Sequence, residues 1–544
     1  MRVARPVASI AIGLSLVLAA CTPTGTTPGG SPAGTATTKP AETPRKGGTF
    51  VGVLGADPVA GNRNTATDLN TFYAWSGVFS ALVYVDATRT PRPDLAESWT
   101  ISPDEKTYTF KLRQNAKFHD GKPVTSADVK YTLEEVTSKY NSQARPILLN
   151  VASITTPDSS TVVFALTEPS AVFLLAMAHQ FMVVLPKHLF EGSDPRTNPV
   201  NSKPIGSGPF KFEEWVKGDH ITLVRNPDYF LSGQPYLDKV VFRIIPDAGS
   251  RTIAFQKGEV DFLPGQFLAR EQATELKNSV PGVYVDDTKG PPGQELMFFN
   301  TTKKPLDDVK VRRALVQAID QKAIVDKAFF GVGAAVSTSH FEKNLGVFHN
   351  PNVKFPAFDV AAANKALDDA GYAKGADGTR FALTIAYMPG NDSDRRSAEL
   401  VRDMLSAAGI KITAQVYDAA TIGRVVFTEG SFDLFTGSFT SNNDPQLGSA
   451  TKYISATIGV VNANGSRYKN PEIDKLYAEG AATTNIDKRK AAYWKAQEIL
   501  AVDMPTLPLI DYMNVDFYRP EIRGYDTTPL GFPYMRIVNA WRTQ

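Results

Sequence analysis

Phe381-Ala-Leu-Thr-Ile-Ala-Tyr387 opens the stretch that decides the fold; residues 397–408 and then Ile410-Lys-Ile-Thr-Ala-Gln-Val416 complete it. The last segment alternates Ile410, Ile412, Ala414 and Val416 with Lys411, Thr413 and Gln415, the period of two that marks a half-buried strand. The first segment has the length and content of a strand as well. Between them Leu400, Val401, Met404 and Leu405 fall on one helical stripe, and Gly409 stops the run. Strand, helix and strand in this order make a parallel unit with a right-handed crossover, the building block of an α/β lobe.

Upstream the pattern changes. Thr107–Leu112 and Thr161–Leu166 alternate as strands, and Thr125 is placed to cap a helix over 126–136 that puts Val129, Leu133 and Val136 on one face. This region reads as antiparallel strands with an added helix. The chain is therefore expected to be mixed α/β with more than one lobe. Its 544 residues are material for about three or four domains.

Composition narrows the function. The chain is 42% hydrophobic and 21% charged, which excludes wholesale disorder. Lys and Arg number 58 against 56 Asp and Glu, and two of the basic residues, Arg2 and Arg5, lie in a leader. The remaining balance is neutral and gives no support to a nucleic-acid partner. A single cysteine, Cys21, excludes an intrachain disulfide and a cysteine-built metal site.

Residues 1–20 read as a signal peptide. After Arg2 and Arg5, residues 7–20 carry no charge, a run too short to span a bilayer and right for a secretory h-region. It ends in Leu18-Ala19-Ala20-Cys21, which resembles the lipobox of bacterial lipoproteins, so Cys21 is the expected lipidation site. Of the 26 residues 22–47, 22 are Thr, Pro, Gly, Ser or Ala, which reads as a flexible tether behind the anchor. No later segment is long and apolar enough to cross a membrane; residues 170–186, interrupted by His179 and Gln180, read as core helix and strand.

Catalytic patterns are missing. The six histidines never pair at zinc-binding spacing, and Gly206-Ser207-Gly208 is not a hydrolase nucleophile elbow. Gly331-Val332-Gly333 fits a helix end rather than a phosphate loop. Asn391-Asp392-Ser393-Asp394 lacks the glycine and distal glutamate of a calcium loop and reads as a solvated turn capping the next helix. Asp307-Asp308 suits the N-terminus of a helix over 309–319.

Several stretches together carry a family resemblance. They are Pro93-Asp94-Leu95-Ala96-Glu97-Ser98-Trp99, Phe118-His119-Asp120-Gly121-Lys122-Pro123-Val124-Thr125, Gly206-Ser207-Gly208-Pro209-Phe210 and Arg225-Asn226-Pro227-Asp228-Tyr229, followed by Asp308-Val309-Lys310-Val311-Arg312-Arg313-Ala314-Leu315. In this order the chain resembles the bacterial extracellular solute-binding proteins of family 5, the oligopeptide-, dipeptide- and nickel-binding components of ABC importers. The resemblance implies a two-lobed clamp of the type II periplasmic-binding-protein kind with an additional third domain. It places lobe I in 48–85, 184–293 and 496–544, the additional domain in 86–183 and lobe III in 294–495. It further implies a monomer that captures a solute, most often a peptide, and hands it unaltered to a membrane permease, with no catalysis and no cofactor.

In peptide binders of this family a lobe III loop carries an aspartate for the peptide's ammonium group. The matching loop here is Gly437-Ser438-Phe439-Thr440-Ser441-Asn442-Asn443-Asp444-Pro445. The aspartate's place falls on Ser441 and a usual tryptophan's on Ser438. A neutral serine cannot offset the desolvation of an ammonium, so Asp444 is a substitute or a turn residue. Ser441, Asn442 and Asn443 equally suit an oligosaccharide or another neutral polar solute. Phe439 and Tyr387 are candidates for stacking, and Ala56 and Asp57 match the lobe I position that offers backbone bonds. Nickel is disfavoured, with His340 and His349 as its late candidates. An anchored extracytoplasmic hydrolase is the rival of a different class.

Overall fold

The structure, a computed structural model, describes residues 43–543 apart from 67, 87–89, 142–143, 269, 287–291, 390–391, 441–443, 514 and 529–533. Cys21 and the loop residues Ser441, Asn442 and Asn443 lie outside the described residues. Three sheet systems carry the body.

The first contains Thr49–Leu54, Lys239–Ile244, His220–Arg225 and Phe210–Val216 in that spatial order. Thr49–Leu54 runs parallel to Lys239–Ile244, and the other pairs are antiparallel. Phe50, Leu54, Leu223 and Phe242 form its core with Trp75 and Tyr73 of the helix that follows. Beside it Phe262–Leu263, Asp516–Tyr518 and Tyr284–Asp286 form a small antiparallel sheet.

The second system is the antiparallel sheet Ala96–Ile101, Thr107–Leu112, Thr161–Leu166 and Val151–Asp158. The expected helix over 126–136 runs as Ser126–Tyr131 and continues in a wider helical turn, Thr132–Thr137. Its start is fixed by Asp128, which accepts from the Thr125 N–H at 2.8 Å and from the Thr125 hydroxyl at 2.7 Å.

The third is a six-stranded sheet in the order Ala334–Val336, Thr506–Met513, Pro292–Phe299, Leu434–Thr440, Phe381–Tyr387 and Ile410–Val416. Phe381–Tyr387 is parallel to both Ile410–Val416 and Leu434–Thr440, as the strand–helix–strand reading requires. Val401 and Leu405 are fully buried in the sheet's core, each worth about 2 kcal/mol of hydrophobic burial. Gly409 takes φ +89°, a left-handed conformation that ends the helix without strain. The helix itself is longer than expected, Asp392–Ala407. Its first turn absorbs the acidic run read as a solvated turn, because carboxylates are favoured at a helix N-terminus.

One domain boundary is corrected. Residues 496–544 do not return wholly to lobe I: helix Ile486–Asp503 runs through the expected border, and Thr506–Met513 is an interior strand of the six-stranded sheet. All eight of its residues are buried, so it needs partners on both sides and both faces. The chain re-enters the first system with Asp516–Tyr518. It leaves that system between Tyr284–Asp286 and Pro292–Phe299, and Pro292 stands opposite Met513 in the sheet register. Among the described residues no helix is long and apolar enough to cross a membrane.

Candidate functional site

The end of strand Leu434–Thr440 meets the start of Pro292–Phe299, with Ser438 opposite Glu295 and Thr440 opposite Gly293. Gly293 also pairs with Tyr512 on its other side. A Cβ there would stand 2.6 Å from the Tyr512 hydroxyl and 2.7 Å from the Phe439 carbonyl, so the strands approach this closely only at glycine.

Two carboxylates gather above this point. Asp394, in the first turn of helix Asp392–Ala407, accepts from the Ser438 hydroxyl at 2.6 Å and its N–H at 3.3 Å. Glu295 accepts from the Ser397 hydroxyl at 2.8 Å through Oε2. Glu295 is 0% and Asp394 2% exposed. Burial holds both above the ordinary carboxylate range; the Asp394 charge adds to the effect at Glu295, and the bonds from Ser438 oppose it at Asp394.

The opposing wall comes from helix Arg270–Ser279, which follows the small sheet of the first system. The Arg270 guanidinium lies 4.6 Å from the Phe329 ring centre and 5.4 Å from that of Tyr512, and donates to the Val332 carbonyl at 3.2 Å. Glu271 beside it pairs with Arg396 of the facing helix, whose guanidinium covers Phe330. Charged groups from two sheet systems therefore meet at one seam.

The residues expected from sequence sort differently. The Ala56 N–H donates to Asn70 Oδ1 at 3.3 Å, while Asp57 accepts from the Trp215 indole at 2.7 Å and the Gly218 N–H at 3.0 Å, so its carboxylate pins a hairpin. Tyr387 is buried in the core of the six-stranded sheet. Ser438 faces Asp394. Phe439 packs 5.5 Å from Phe298, with the Lys452 ammonium 4.7 Å over its ring. Asp444, 1% exposed, accepts two hydrogen bonds from Arg489, at 2.7 and 2.8 Å; this buried ion pair commits its carboxylate to the fold. Glu295, Asp394 and Arg270 were missed. A charge inside the strand Gly293-Gln294-Glu295-Leu296-Met297-Phe298-Phe299 was the available signal.

A separate cavity of about 860 Å³ runs along the outer edge of Ala334–Val336, between Lys343, Lys354, Phe355 and Asp511. Among the described residues no group of three or more His, Cys, Asp or Glu side chains is placed to hold a metal ion.

Residues 90–458 match the family described as bacterial extracellular solute-binding proteins, family 5 Middle. The chain belongs to that family. It is 28% identical over 466 residues to heme-binding protein A of Haemophilus influenzae, covering 81% of this chain and 82% of that protein. Its fold matches the structure of HbpA2 from Haemophilus parasuis with a TM-score of 0.81 at 28% identity, over 91% of this chain and 100% of the other. The family 5 fold is seen again in the ABC transporter-associated periplasmic binding protein DppA of Helicobacter pylori, solved in complex with peptide STSA. There the TM-score is 0.72 at 27% identity, over 92% of this chain and 99% of the other. The mixed α/β expectation and the type II binding-protein fold hold, and the family is one of solute binders rather than enzymes.

Proposed function

We propose that this family 5 protein is the lipid-anchored substrate-binding subunit of an ABC importer, closing over a peptide and delivering it unchanged to a membrane permease. The observation that carries the reading is the seam: Arg270 and Glu271 on one wall face Glu295, Asp394 and Arg396 on the other. Polar groups that converge from two separately folded halves are what a closing clamp needs, because they hold a ligand better shut than open. In this reading lobe I is 48–85, 184–293 and 514–544, the additional domain is 86–183 and lobe III is 294–513. Strand Leu434–Thr440 ends beside the seam, where Ser438 bonds Asp394, and Ser441, Asn442 and Asn443 remain the ligand contacts proposed from the sequence. Residues 1–20 are removed, Cys21 holds the lipid, and 22–47 tether the body above the membrane.

The test is mass spectrometry of cargo released from protein purified from its own cell envelope without refolding. Short peptides are the expected cargo. An oligosaccharide, or a haem revealed by its Soret band, overturns the peptide assignment and leaves the clamp standing. Chemical turnover of the released cargo by the protein overturns the importer reading itself.

A further inference from the structure

One edge of the six-stranded sheet is open. Among the described residues Ala334–Val336 pairs on one side only, with Thr506–Met513. The Met513 N–H donates to the Gly333 carbonyl at 2.7 Å, and the Ser337 N–H to the Leu509 carbonyl at 3.5 Å. Bonded and non-bonded pairs alternate along an antiparallel ladder. With 333 and 337 in bonded pairs, 335 is in one as well, and Ala334 and Val336 turn their N–H and C=O groups away from Thr506–Met513. No described residue bonds those outward groups. The strand lines the cavity of about 860 Å³, which Pro351 and residues 353–358, in neither helix nor strand, also line. That volume is in the range of pockets that enclose a ligand, and the methyl side chains of Ala334 and Ala335 allow close approach to the backbone.

The open charge in this groove has one sign. Lys343 and Lys354 line it, both are exposed, and among the described residues neither belongs to an ion pair. The carboxylate in the lining, Asp511, is 8% exposed and taken up by the fold: it accepts from the Ser337 hydroxyl, from Gln294 at 2.9 Å and from the Lys343 N–H at 3.2 Å. Asp359, just past Phe358, caps helix Val360–Asp369 by accepting from the Ala362 N–H at 2.9 Å. Lysines beside an open edge repel a second edge of the same charge, which argues against another copy of this chain. Residues 1–47 do not complement the groove either, since Glu42 stands there against Arg2, Arg5, Lys39, Arg45 and Lys46. The same lysines draw in a strand that brings carboxylates.

We propose that an extended, acidic segment of a second protein docks in this groove as an added strand beside Ala334–Val336. Its backbone pairs with the outward N–H and C=O groups of Ala334 and Val336, and its carboxylates meet Lys343 and Lys354. In this mode main-chain bonds supply the affinity and side chains the choice of partner. Apolar residues of the incoming strand find the Phe355 ring and Phe358, which is 51% exposed. None of Arg270, Glu271, Glu295, Asp394 and Arg396 lines this groove, and the inference depends neither on the ligand nor on the importer reading.

The test uses the full-length protein as purified from its cell envelope and three fluorescently labelled peptides, each with both ends blocked. They are Thr-Val-Glu-Val-Glu-Val-Thr, its counterpart with lysine for glutamate, and the acidic peptide with every backbone nitrogen methylated. Fluorescence anisotropy is expected to show the acidic peptide binding at least tenfold more tightly than either of the others. Val336→Pro removes one outward N–H, a change that an edge strand tolerates, and the pair Lys343→Gln and Lys354→Gln removes the charge. Each is expected to weaken the acidic peptide at least tenfold, and the double lysine variant to keep the Tm of the parent. The methylated peptide removes the backbone bonds from the partner's side, so the test holds even where Val336→Pro folds poorly. The proposal is overturned if the acidic peptide does not bind, if the lysine or methylated peptide equals it, or if it binds the lysine variant as it binds the parent. A dimer that Val336→Pro dissolves overturns it as well, because the edge then belongs to a second copy.

Discussion

Glu105 and Thr484, 379 residues apart, meet tip to tip: the Thr484 N–H donates to Glu105 Oε2 at 2.6 Å and its hydroxyl to Oε1 at 2.9 Å. Glu105 is in the turn between Ala96–Ile101 and Thr107–Leu112, and Thr484 joins helices Pro471–Ala481 and Ile486–Asp503. Close by, the Ala171 N–H donates to the Ala481 carbonyl at 3.3 Å. The antiparallel system thus touches the helices packed behind the six-stranded sheet. A solvent-facing bond of this kind contributes about 1 kcal/mol, which is about fivefold in an equilibrium constant. Glu105→Ala is expected to lower ligand affinity by about that factor and leave the Tm within about two degrees. Titration calorimetry with the eluted cargo checks it, and an unchanged affinity shows that the contact plays no part in closure.

The pair Asp444–Arg489 predicts a large effect on stability. Both side chains are buried, and Arg489 is further fixed by the Gly480 carbonyl at 2.9 Å and by the Phe348 ring at 4.7 Å. Removing one member of a buried pair strands the other charge, at about 3–5 kcal/mol. Asp444→Asn should lose that much in urea unfolding. A loss below about 1 kcal/mol, accompanied by weaker ligand binding, would return Asp444 to the ligand site.

His340 predicts an acid limit. Its ring is enclosed between Phe355 and Tyr453, Nε2 bonds the Thr506 carbonyl at 3.2 Å, and burial pushes its pKa down to about 3. The unfolded chain takes up this proton near about 6.5. Between those values the unfolded state binds more protons, so the contribution is complete above about 6.5 and lost as the pH falls toward 3, by about 1.4 kcal/mol per unit. His340→Gln should flatten the slope of stability against pH between 4.5 and 6.5 by that amount. An unchanged slope would place the titration elsewhere.

Cys21 predicts a location. Two or more acyl chains make membrane binding stable, so Cys21→Ser is expected to move the protein from the detergent phase to the aqueous phase on phase separation. Retention in the detergent phase would show that something other than a lipid at Cys21 holds it.

What was legible in the sequence depended on locality. Phe381–Tyr387 and Ile410–Val416 could be read because each period is complete within seven residues and the connecting helix lies between them. Thr506–Met513 could not be placed: with every residue buried it has no alternation, and it pairs with Pro292–Phe299 more than 200 positions earlier. The same limit hid the seam. Asp394 sits in an acidic run that looks solvated until the fold covers it, although Asp392 two residues earlier stays exposed, and Asp57 looks available until Trp215, 158 positions away, donates to it.

The neighbouring positions of Pro292 and Met513 have a mechanical consequence. The two residues are partners in the register of neighbouring strands, so a change of backbone at either one is passed to the end of the other strand.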